Sequence, residues 1–167
     1  AKAINKHIYS KYNYYKKNDY QIILQCGNKN YNFIPSELFN EKNIIIKKFL
    51  NDNGKWNMFN CCIAADLVIA RAGALTISEL TFLGKASILI PFKYASDNHQ
   101  EINAKSLAEK GACTIIDEDR LKEGALEKKI TEIFKKKAFL KLEKSALKAA
   151  YPNAIKDIIK QIKKNIK

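Results

Sequence analysis

The chain has 167 residues, 47% of them hydrophobic, and its 30 lysines and arginines against 17 acidic residues give a formal charge of +13. This length is typical of one domain, or of one domain with an appendage, and the apolar content is sufficient for a buried core. The charge favours a polyanionic partner, whether nucleic acid, an anionic membrane surface or a phosphorylated substrate. The sequence shows no signal peptide and no apolar stretch long enough to span a membrane, so we expect a soluble protein.

Apolar strands alternate with helices along the chain. In chain order, we predict a helix at 2–15, strands at 20–26 and 43–49, a helix at 58–65, a strand at 67–70, a helix at 74–83, a strand at 86–90, a helix at 98–110, a strand at 113–116, and helices at 124–136, 138–150 and 153–165. Strands that are apolar throughout and joined through helices are typical of a parallel sheet covered on both faces. We therefore predict an α/β fold with a doubly wound parallel sheet and a helical C-terminal tail.

The predicted domain organisation is an α/β domain over residues 1–120, followed by Lys-rich helices over 121–167. Many lysines of the second segment alternate with apolar residues at helical spacing, which indicates solvated helix faces. The segment 51–55 (NDNGK) is the most loop-like part of the interior. Ligands of doubly wound sheets bind beyond the carboxyl ends of the strands, so the loops after the strands at 67–70 and 86–90 are the first places to search for a site.

The thiols and imidazoles argue against a metal site. The chain has four cysteines and two histidines: Cys26, Cys61, Cys62, Cys113, His7 and His99. No C-x-x-C pair occurs, and such spacing is the usual mark of a zinc cluster. We therefore expect free thiols, a reducing cytosolic environment and no metal or other cofactor.

The loop after the strand at 67–70 has the pattern of an anion site. A strand ends at Ala70, Gly73 permits a tight turn, and a helix follows. Backbone N–H groups at a helix start, together with the positive end of its dipole, suit a diphosphate. Thr76 and Glu79, three residues apart, project from the same side of the helix. The same spacing also fits a capping box, in which Glu79 only returns to the backbone at the helix start.

The loop after the strand at 86–90 permits two similar interpretations. Asp97 is a natural N-cap with Gln100 three residues later, which is helix-end chemistry. His99 and Asn103 lie one helical turn apart and are suited to holding a sugar, although a lone histidine is more often structural. Neither loop contains a nucleophile–base pair, paired carboxylates or a phosphate-loop signature, so the pattern indicates binding rather than proton transfer.

Taken together, the two loops resemble the MurG family of bacterial cell-wall glycosyltransferases. Residues 65–79 (ADLVIARAGALTISE) closely match the family signature AD-x-V-x-SRAGA-x-T-x-SE, with Ala70 in place of its first serine. Further matches follow in the same order as in the family: GKA at 84–86, IPF at 90–92, ASDNHQ at 95–100, NA at 103–104 and EKGA at 109–112. The resemblance implies the C-terminal, Rossmann-like half of a GT-B fold. It also implies an inverting enzyme that transfers N-acetylglucosamine from its UDP carrier to lipid I, forming lipid II in peptidoglycan synthesis.

For the nucleotide, the resemblance implies a set of residues around the first loop. Glu79 would hold the ribose hydroxyls of UDP. The turn at Gly73, the backbone at Ala74, Leu75 and Thr76, and the Thr76 hydroxyl would meet the diphosphate.

For the sugar and the base, the implied residues lie elsewhere. His99, Gln100 and Asn103 would contact the phosphate and the N-acetylglucosamine hydroxyls. Leu50 is the nearest match to the residue that cradles uracil, although the segment 51–57 is longer than its family counterpart. The resemblance supplies no catalytic residue, metal ligand or cofactor from this chain.

The family also has parts that this sequence does not match. Its members carry a G-G-S-x-G-A loop before a helix similar to residues 2–5, and Ala1 matches the last residue of that loop. The resemblance therefore implies a chain without the loop's glycines, the first strand, and the N-terminal domain that binds the lipid acceptor and supplies the candidate general base. We expect the chain alone to be inactive and its sheet to have an unfilled slot.

The implied partners are UDP-N-acetylglucosamine, lipid I through that N-terminal domain, and the inner face of the cytoplasmic membrane, with no nucleic acid. Two alternatives remain within the enzyme class, namely a related lipid glycosyltransferase and a split-subunit homologue. A third, of another class, is a non-catalytic basic module that binds nucleic acid. The charge of +13 prompts it, although no recognised nucleic-acid-binding motif occurs.

Overall fold

A computed structural model describes residues 2–51 and 56–165. Ala1, which was matched to the glycine-rich loop, and the last four residues of the predicted loop at 51–55 lie outside the described residues. The described helices are α1 Lys2–Ser10, α2 Tyr12–Lys17, α3 Asn28–Tyr31, α4 Met58–Ala64, α5 Ala74–Phe82, α6 His99–Glu109, α7 Ala125–Lys135, α8 Phe139–Ala149 and α9 Ala154–Asn165. The described strands are β1 Ile22–Gln25, β2 Ile44–Lys47, β3 Val68–Ala70, β4 Ser87–Leu89 and β5 Thr114–Ile115.

The strands confirm the predicted parallel α/β fold. Each predicted strand is present, trimmed at its ends, and every pairing between them is parallel. Their hydrogen bonds form two sheets, one in the order β1-β2 and the other in the order β3-β4-β5. The unfilled slot expected from the sequence stays a prediction.

The predicted helix at 2–15 was wrong as a single helix, because the chain breaks it between α1 and α2. The Ser10 hydroxyl donates a hydrogen bond to the carbonyl of His7 at 2.9 Å, and the N–H of Lys11 donates to the same carbonyl at 3.0 Å. A serine that bonds back to the preceding turn competes with the regular helix ladder and bends it. The short helix α3 was not predicted.

The chain divides into two compact units. The first contains Ala1–Ala65 and Ile116–Ile130, and the second contains Asp66–Ile115 and Thr131–Lys167. The predicted division at residue 120 remains a prediction.

The first unit has a core that includes buried tyrosines beside its aliphatic residues. Tyr12 and Tyr15 are buried, at 4% and 2% exposed. Tyr12 donates from its hydroxyl to the Asn43 side chain, so its polar end is satisfied. The core cluster contains Tyr12, Cys26, Ile34, Leu38 and Ile44.

A buried polar cluster joins α1, α2 and the start of α7 within this unit. The Glu127 Oε1 atom accepts a hydrogen bond from the Tyr15 hydroxyl at 2.6 Å and lies 2.8 Å from His7 Nε2. The other oxygen, Oε2, is buried and has no hydrogen-bond partner among the described residues. Burial alone raises the pKa of Glu127, but the hydrogen bonds from His7 and Tyr15 outweigh it, so the pKa lies below its ordinary value.

In the second unit, β4 is the central strand and is buried on both faces. Ile88, Leu89 and Ile90 are fully buried, as expected for the middle strand of a parallel sheet. Helices α5, α6 and α8 supply the rest of the core, with Leu80, Ala104, Leu107 and Ala146 among its buried residues. The Ser87 hydroxyl is buried without a hydrogen-bond partner among the described residues.

All four cysteines are buried thiols that take no part in a disulfide. Cys26, Cys61 and Cys62 belong to the first unit and Cys113 to the second. Burial raises the pKa of the Cys113 thiol to about 12. The Cys26 thiol, whose pKa burial also raises, donates to the Lys47 carbonyl.

Helix α9 is exposed along its whole described length. Its isoleucines Ile155, Ile158, Ile159 and Ile162 recur at helical spacing and are between 46% and 73% exposed. Its lysines Lys156, Lys160, Lys163 and Lys164 lie on another side of the helix. The helix therefore presents an apolar stripe flanked by positive charge. No helix in the described part of the chain is both long enough and apolar enough to cross a membrane.

Candidate functional site

The loops after β3 and β4 leave the three-stranded sheet at the same edge. Ala70 and Leu89, the last residues of these strands, are register partners, and the N–H of Ile90 donates to the Ala70 carbonyl at 2.8 Å. From this edge the chain continues into α5 at Ala74 and α6 at His99. The two loops that the sequence singled out are thus neighbours, as expected for adjacent parallel strands.

The start of α5 presents backbone N–H groups to solvent. Gly73 is the N-cap in an extended conformation and makes no side-chain capping bond. The first N–H that bonds back into the helix is that of Ile77, which donates to the Gly73 carbonyl at 3.0 Å. The N–H groups of Ala74, Leu75 and Thr76 therefore have no partner within the helix. Leu75 is 74% exposed, so this end of the helix dipole is accessible to an anion.

The capping-box interpretation of Thr76 and Glu79 is wrong. A capping box needs its threonine at the N-cap and its carboxylate at the third helical residue. Because the N-cap is Gly73, Thr76 is itself the third helical residue and Glu79 is the sixth. The Glu79 side chain is exposed on the second turn. Its carboxylate is therefore not required to close the helix start.

The capping interpretation of Asp97 and Gln100 is also wrong. The N-cap of α6 is Asn98, which makes no side-chain cap, and Gln100 is the second residue of the helix. Asp97 and Asn98 both have left-handed backbone angles, with φ of 51° and 52°. Aspartate and asparagine tolerate this conformation better than other non-glycine residues, which explains why this turn precedes the helix.

The hydrogen bonds of Gln100 and Asn103 fix the orientation of both side-chain amides. The Phe92 N–H donates to Gln100 Oε1 at 3.0 Å, and Asn103 Nδ2 donates to the Ala72 carbonyl at 3.3 Å. An N–H group needs an acceptor and a carbonyl needs a donor, so neither amide can be turned around. Gln100 is left with an N–H₂ group to donate, and Asn103 with a carbonyl oxygen to accept.

Arg71 links the two loops, and its individual role could not be inferred from the sequence. Its Nη1 atom donates to the carbonyls of Ile90 and Pro91 at 3.1 and 3.0 Å. The guanidinium also lies over the Phe92 ring, 5.3 Å from its centre. An arginine directly after a strand and before small residues is the only local signal of such a link.

The remaining predicted site residues lie on α6 and in the first unit. His99 is the first residue of α6, exposed, and one turn before Asn103. Leu50 belongs to the first unit and is only 8% exposed. Its N–H donates to Gln25 Oε1 at 2.8 Å and its carbonyl accepts from the N–H of Met58 at 2.9 Å. Within the described residues, no three His, Cys, Asp or Glu side chains are grouped to hold a metal ion.

Curated relatives share the sequence at moderate identity over part of their own length. A protein from Desulforamulus reducens is 46% identical over 123 residues, which are 73% of this chain and 32% of the relative. A protein from Bacillus licheniformis is 33% identical over 100% of this chain and 46% of its own length. Both are named UDP-N-acetylglucosamine–N-acetylmuramyl-(pentapeptide) pyrophosphoryl-undecaprenol N-acetylglucosamine transferase. The chain thus spans less than half the length of these relatives.

Solved structures agree with this similarity. The crystal structure of MurG from Acinetobacter baumannii superposes with a TM-score of 0.78 at 28% identity, over 98% of this chain and 46% of that one. A glycosyltransferase of kitacinnamycin matches at a TM-score of 0.57 and 20% identity, a likeness of fold alone.

A family model covers nearly the whole chain. The model described as the glycosyltransferase family 28 C-terminal domain matches residues 1–162. It includes both loops of the sheet edge and the helices that begin there. The chain therefore belongs to the family of glycosyltransferase family 28 C-terminal domains.

Proposed function

We propose that the chain is the donor-binding part of an inverting glycosyltransferase that moves N-acetylglucosamine from UDP-N-acetylglucosamine to lipid I, giving lipid II. The family membership and the names of the relatives support this assignment. The observation that carries it is the sheet edge, where the open N-terminus of α5 and the amides of α6 lie on neighbouring loops.

In this proposal the diphosphate of UDP lies at the start of α5. The N–H groups of Ala74, Leu75 and Thr76 donate to phosphate oxygens, with the Thr76 hydroxyl as a further donor. The positive end of the helix dipole favours the anion by roughly 0.3–1 kcal/mol for an exposed site. Glu79, one turn further along, accepts hydrogen bonds from the ribose hydroxyls.

The sugar lies against α6. A sugar hydroxyl both donates and accepts hydrogen bonds, so it suits a site with the Gln100 N–H₂ group as donor and the Asn103 oxygen as acceptor. His99 adds a polar contact at the helix start. Leu50 remains the proposed uracil contact, through its side chain, because its backbone groups are already bonded within the protein.

The reaction is the attack of the lipid I muramyl 4-hydroxyl on the anomeric carbon, with UDP as the leaving group. Negative charge grows on the diphosphate as the glycosidic bond breaks. Preorganised N–H donors at the start of α5 stabilise that charge in the transition state. The family resemblance places the acceptor site and the general base in another domain, so we propose that both come from outside this chain and that the chain alone has no turnover.

A transfer assay and a binding assay test the proposal together. The purified chain is titrated with UDP and, separately, with single-stranded DNA, each at low and high salt. We expect UDP to bind and the DNA signal to be absent or to fall steeply with salt, as charge-driven binding does. Turnover by the chain alone with UDP-N-acetylglucosamine and a lipid I analogue would refute the proposal that the acceptor site and the general base come from outside this chain. DNA binding that falls steeply with salt, without UDP binding, would favour the nucleic-acid module.

The finer proposal on location is that the protein works at the inner face of the cytoplasmic membrane. The exposed apolar stripe of α9 and its flanking lysines support it, since basic amphipathic helices bind anionic lipid surfaces. Co-sedimentation with vesicles is the test. We expect retention on vesicles that contain phosphatidylglycerol and release from purely zwitterionic ones, and equal behaviour on both would contradict the proposal.

A further inference from the structure

Arg71 and Gln100 hold opposite sides of one peptide group. Arg71 Nη1 donates to the Pro91 carbonyl at 3.0 Å, and the Phe92 N–H of the same peptide donates to Gln100 Oε1 at 3.0 Å. A peptide group is planar and resists twisting. The direction of its N–H is therefore set by whatever holds its carbonyl.

The chemistry of this link requires an arginine. Ile90 and Pro91 are buried, and buried carbonyls need hydrogen-bond donors. A guanidinium reaches two successive carbonyls while it lies over the Phe92 ring, 5.3 Å from its centre. A lysine carries a compact charge on a flexible stem and has no rigid fork of donors to hold the two carbonyls in one geometry.

We propose that Arg71 is a positioning residue for the donor sugar, which aims the Gln100 amide through the Pro91–Phe92 peptide. This inference rests on the proposed function, because it assigns the Gln100 N–H₂ group to the sugar. Arg71 itself touches neither nucleotide nor sugar. It fixes the peptide that fixes Gln100 Oε1, and the remaining N–H₂ group then points to one place.

Loss of the Arg71 side chain should weaken the binding of the sugar and leave the binding of the nucleotide nearly unchanged. The test compares calorimetric titrations of UDP and UDP-N-acetylglucosamine for wild type, Arg71→Lys and a matched control, Arg120→Lys. Arg120 is exposed and pairs only loosely with Glu123, at 3.6 Å. We expect Arg71→Lys to lose roughly tenfold of the preference for the sugar nucleotide over UDP, with UDP affinity within about twofold of wild type. An equal loss for both ligands would overturn the proposal.

A double-mutant cycle separates aiming from general damage. Gln100→Glu keeps the oxygen that accepts from Phe92 but removes the N–H₂ donor. If Arg71 acts through this donor, Arg71→Lys should have little further effect on the preference in the Gln100→Glu background. Losses that simply add would show independent roles and refute the inference.

An unliganded measurement keeps the two proposals distinguishable. In NMR spectra, the signals of the Gln100 side-chain N–H₂ group are identified by their loss in Gln100→Glu. These signals should shift in Arg71→Lys but not in Arg120→Lys. If wild type binds neither nucleotide, the proposed function is refuted, but this comparison still tests the coupling between Arg71 and the Gln100 amide. Gln100 signals that do not shift in Arg71→Lys would overturn that coupling. If Arg71→Lys does not fold, Phe92→Leu replaces it, since it removes the ring beneath the guanidinium and, with it, the ring contact to Tyr94. Tyr94→Leu then serves as the control for that ring contact, and Gln100 signals that Phe92→Leu leaves unchanged would overturn the coupling.

Discussion

Replacing Glu79 tests the centre of the proposed donor site. Glu79 lies five residues after Ala74, so its backbone is about 7.5 Å further along the helix axis. In the proposed site, this separation leaves room for the diphosphate at the helix start and places the carboxylate further along, where we propose that it contacts the ribose. Hydrogen bonds to a charged group contribute roughly 1.5–3 kcal/mol. Glu79→Ala should therefore weaken UDP binding by about ten- to a hundredfold.

The same substitution should leave the fold almost unchanged. Glu79 is exposed and takes no part in capping α5. Substitutions at such surface positions usually change the free energy of unfolding by no more than about 0.5 kcal/mol. A loss of binding can therefore be assigned to the ligand contact, with thermal unfolding of the variant as the check.

The assay is calorimetric titration with UDP and 2′-deoxy-UDP. Wild type should prefer UDP, Glu79→Ala should lose most of that preference, and Glu79→Gln, which keeps one acceptor oxygen, should fall between them. Glu101→Gln is the matched control, since Glu101 is an exposed carboxylate on α6 paired with Lys105 at 2.7 Å. If wild type and Glu79→Ala discriminate equally between the two nucleotides, Glu79 does not read the ribose and the site assignment fails.

Three further predictions concern other parts of the molecule. The pKa of Glu127 is lower in the folded protein than in the unfolded chain, so its ionised carboxylate stabilises the fold above the unfolded pKa, and this contribution is lost as pH falls through the folded pKa. Chemical denaturation should therefore show the free energy of unfolding of wild type falling below about pH 4. Glu127→Gln should lack this fall. Ser87→Ala should leave the melting temperature unchanged or raise it, because it removes a buried hydroxyl that has no partner among the described residues. Asn103→Asp should weaken calorimetric binding of UDP-N-acetylglucosamine at least tenfold, since it replaces the donor to Ala72 and adds a negative charge near the diphosphate.

The sequence was sufficient to locate the strands and the sheet edge. Each strand lies in an apolar run, which favours a buried strand, and Gly73 and Pro91 mark the loops that follow two of the strands. The parallel pairing then requires both loops to share one edge. These inferences depend on short-range patterns, which a single sequence contains in full.

The sequence could not identify the residues that form the N-caps of the helices. Threonine and aspartate are favoured N-caps, so Thr76 and Asp97 were the natural candidates, but the chain uses Gly73 and the left-handed Asn98 instead. Cap preferences are worth only about 1 kcal/mol, and tertiary contacts override them. The link from Arg71 to Gln100 was equally hidden, because it passes through a peptide group twenty residues away from the arginine.

Because every thiol is buried, the rate at which each cysteine reacts with a reagent reports how often the surrounding core becomes exposed to solvent. A thiol reacts as the thiolate, so Cys113, with a pKa of about 12, is shielded from alkylating reagents by chemistry as well as by packing. Its labelling rate measures how often the second unit exposes its core, and the rates of Cys26, Cys61 and Cys62 measure the first. Mass spectrometry after brief exposure to a maleimide can therefore follow the two units separately, without any engineered probe. Protection of Cys113 by added UDP would measure how strongly the nucleotide stabilises the unit that holds the proposed site.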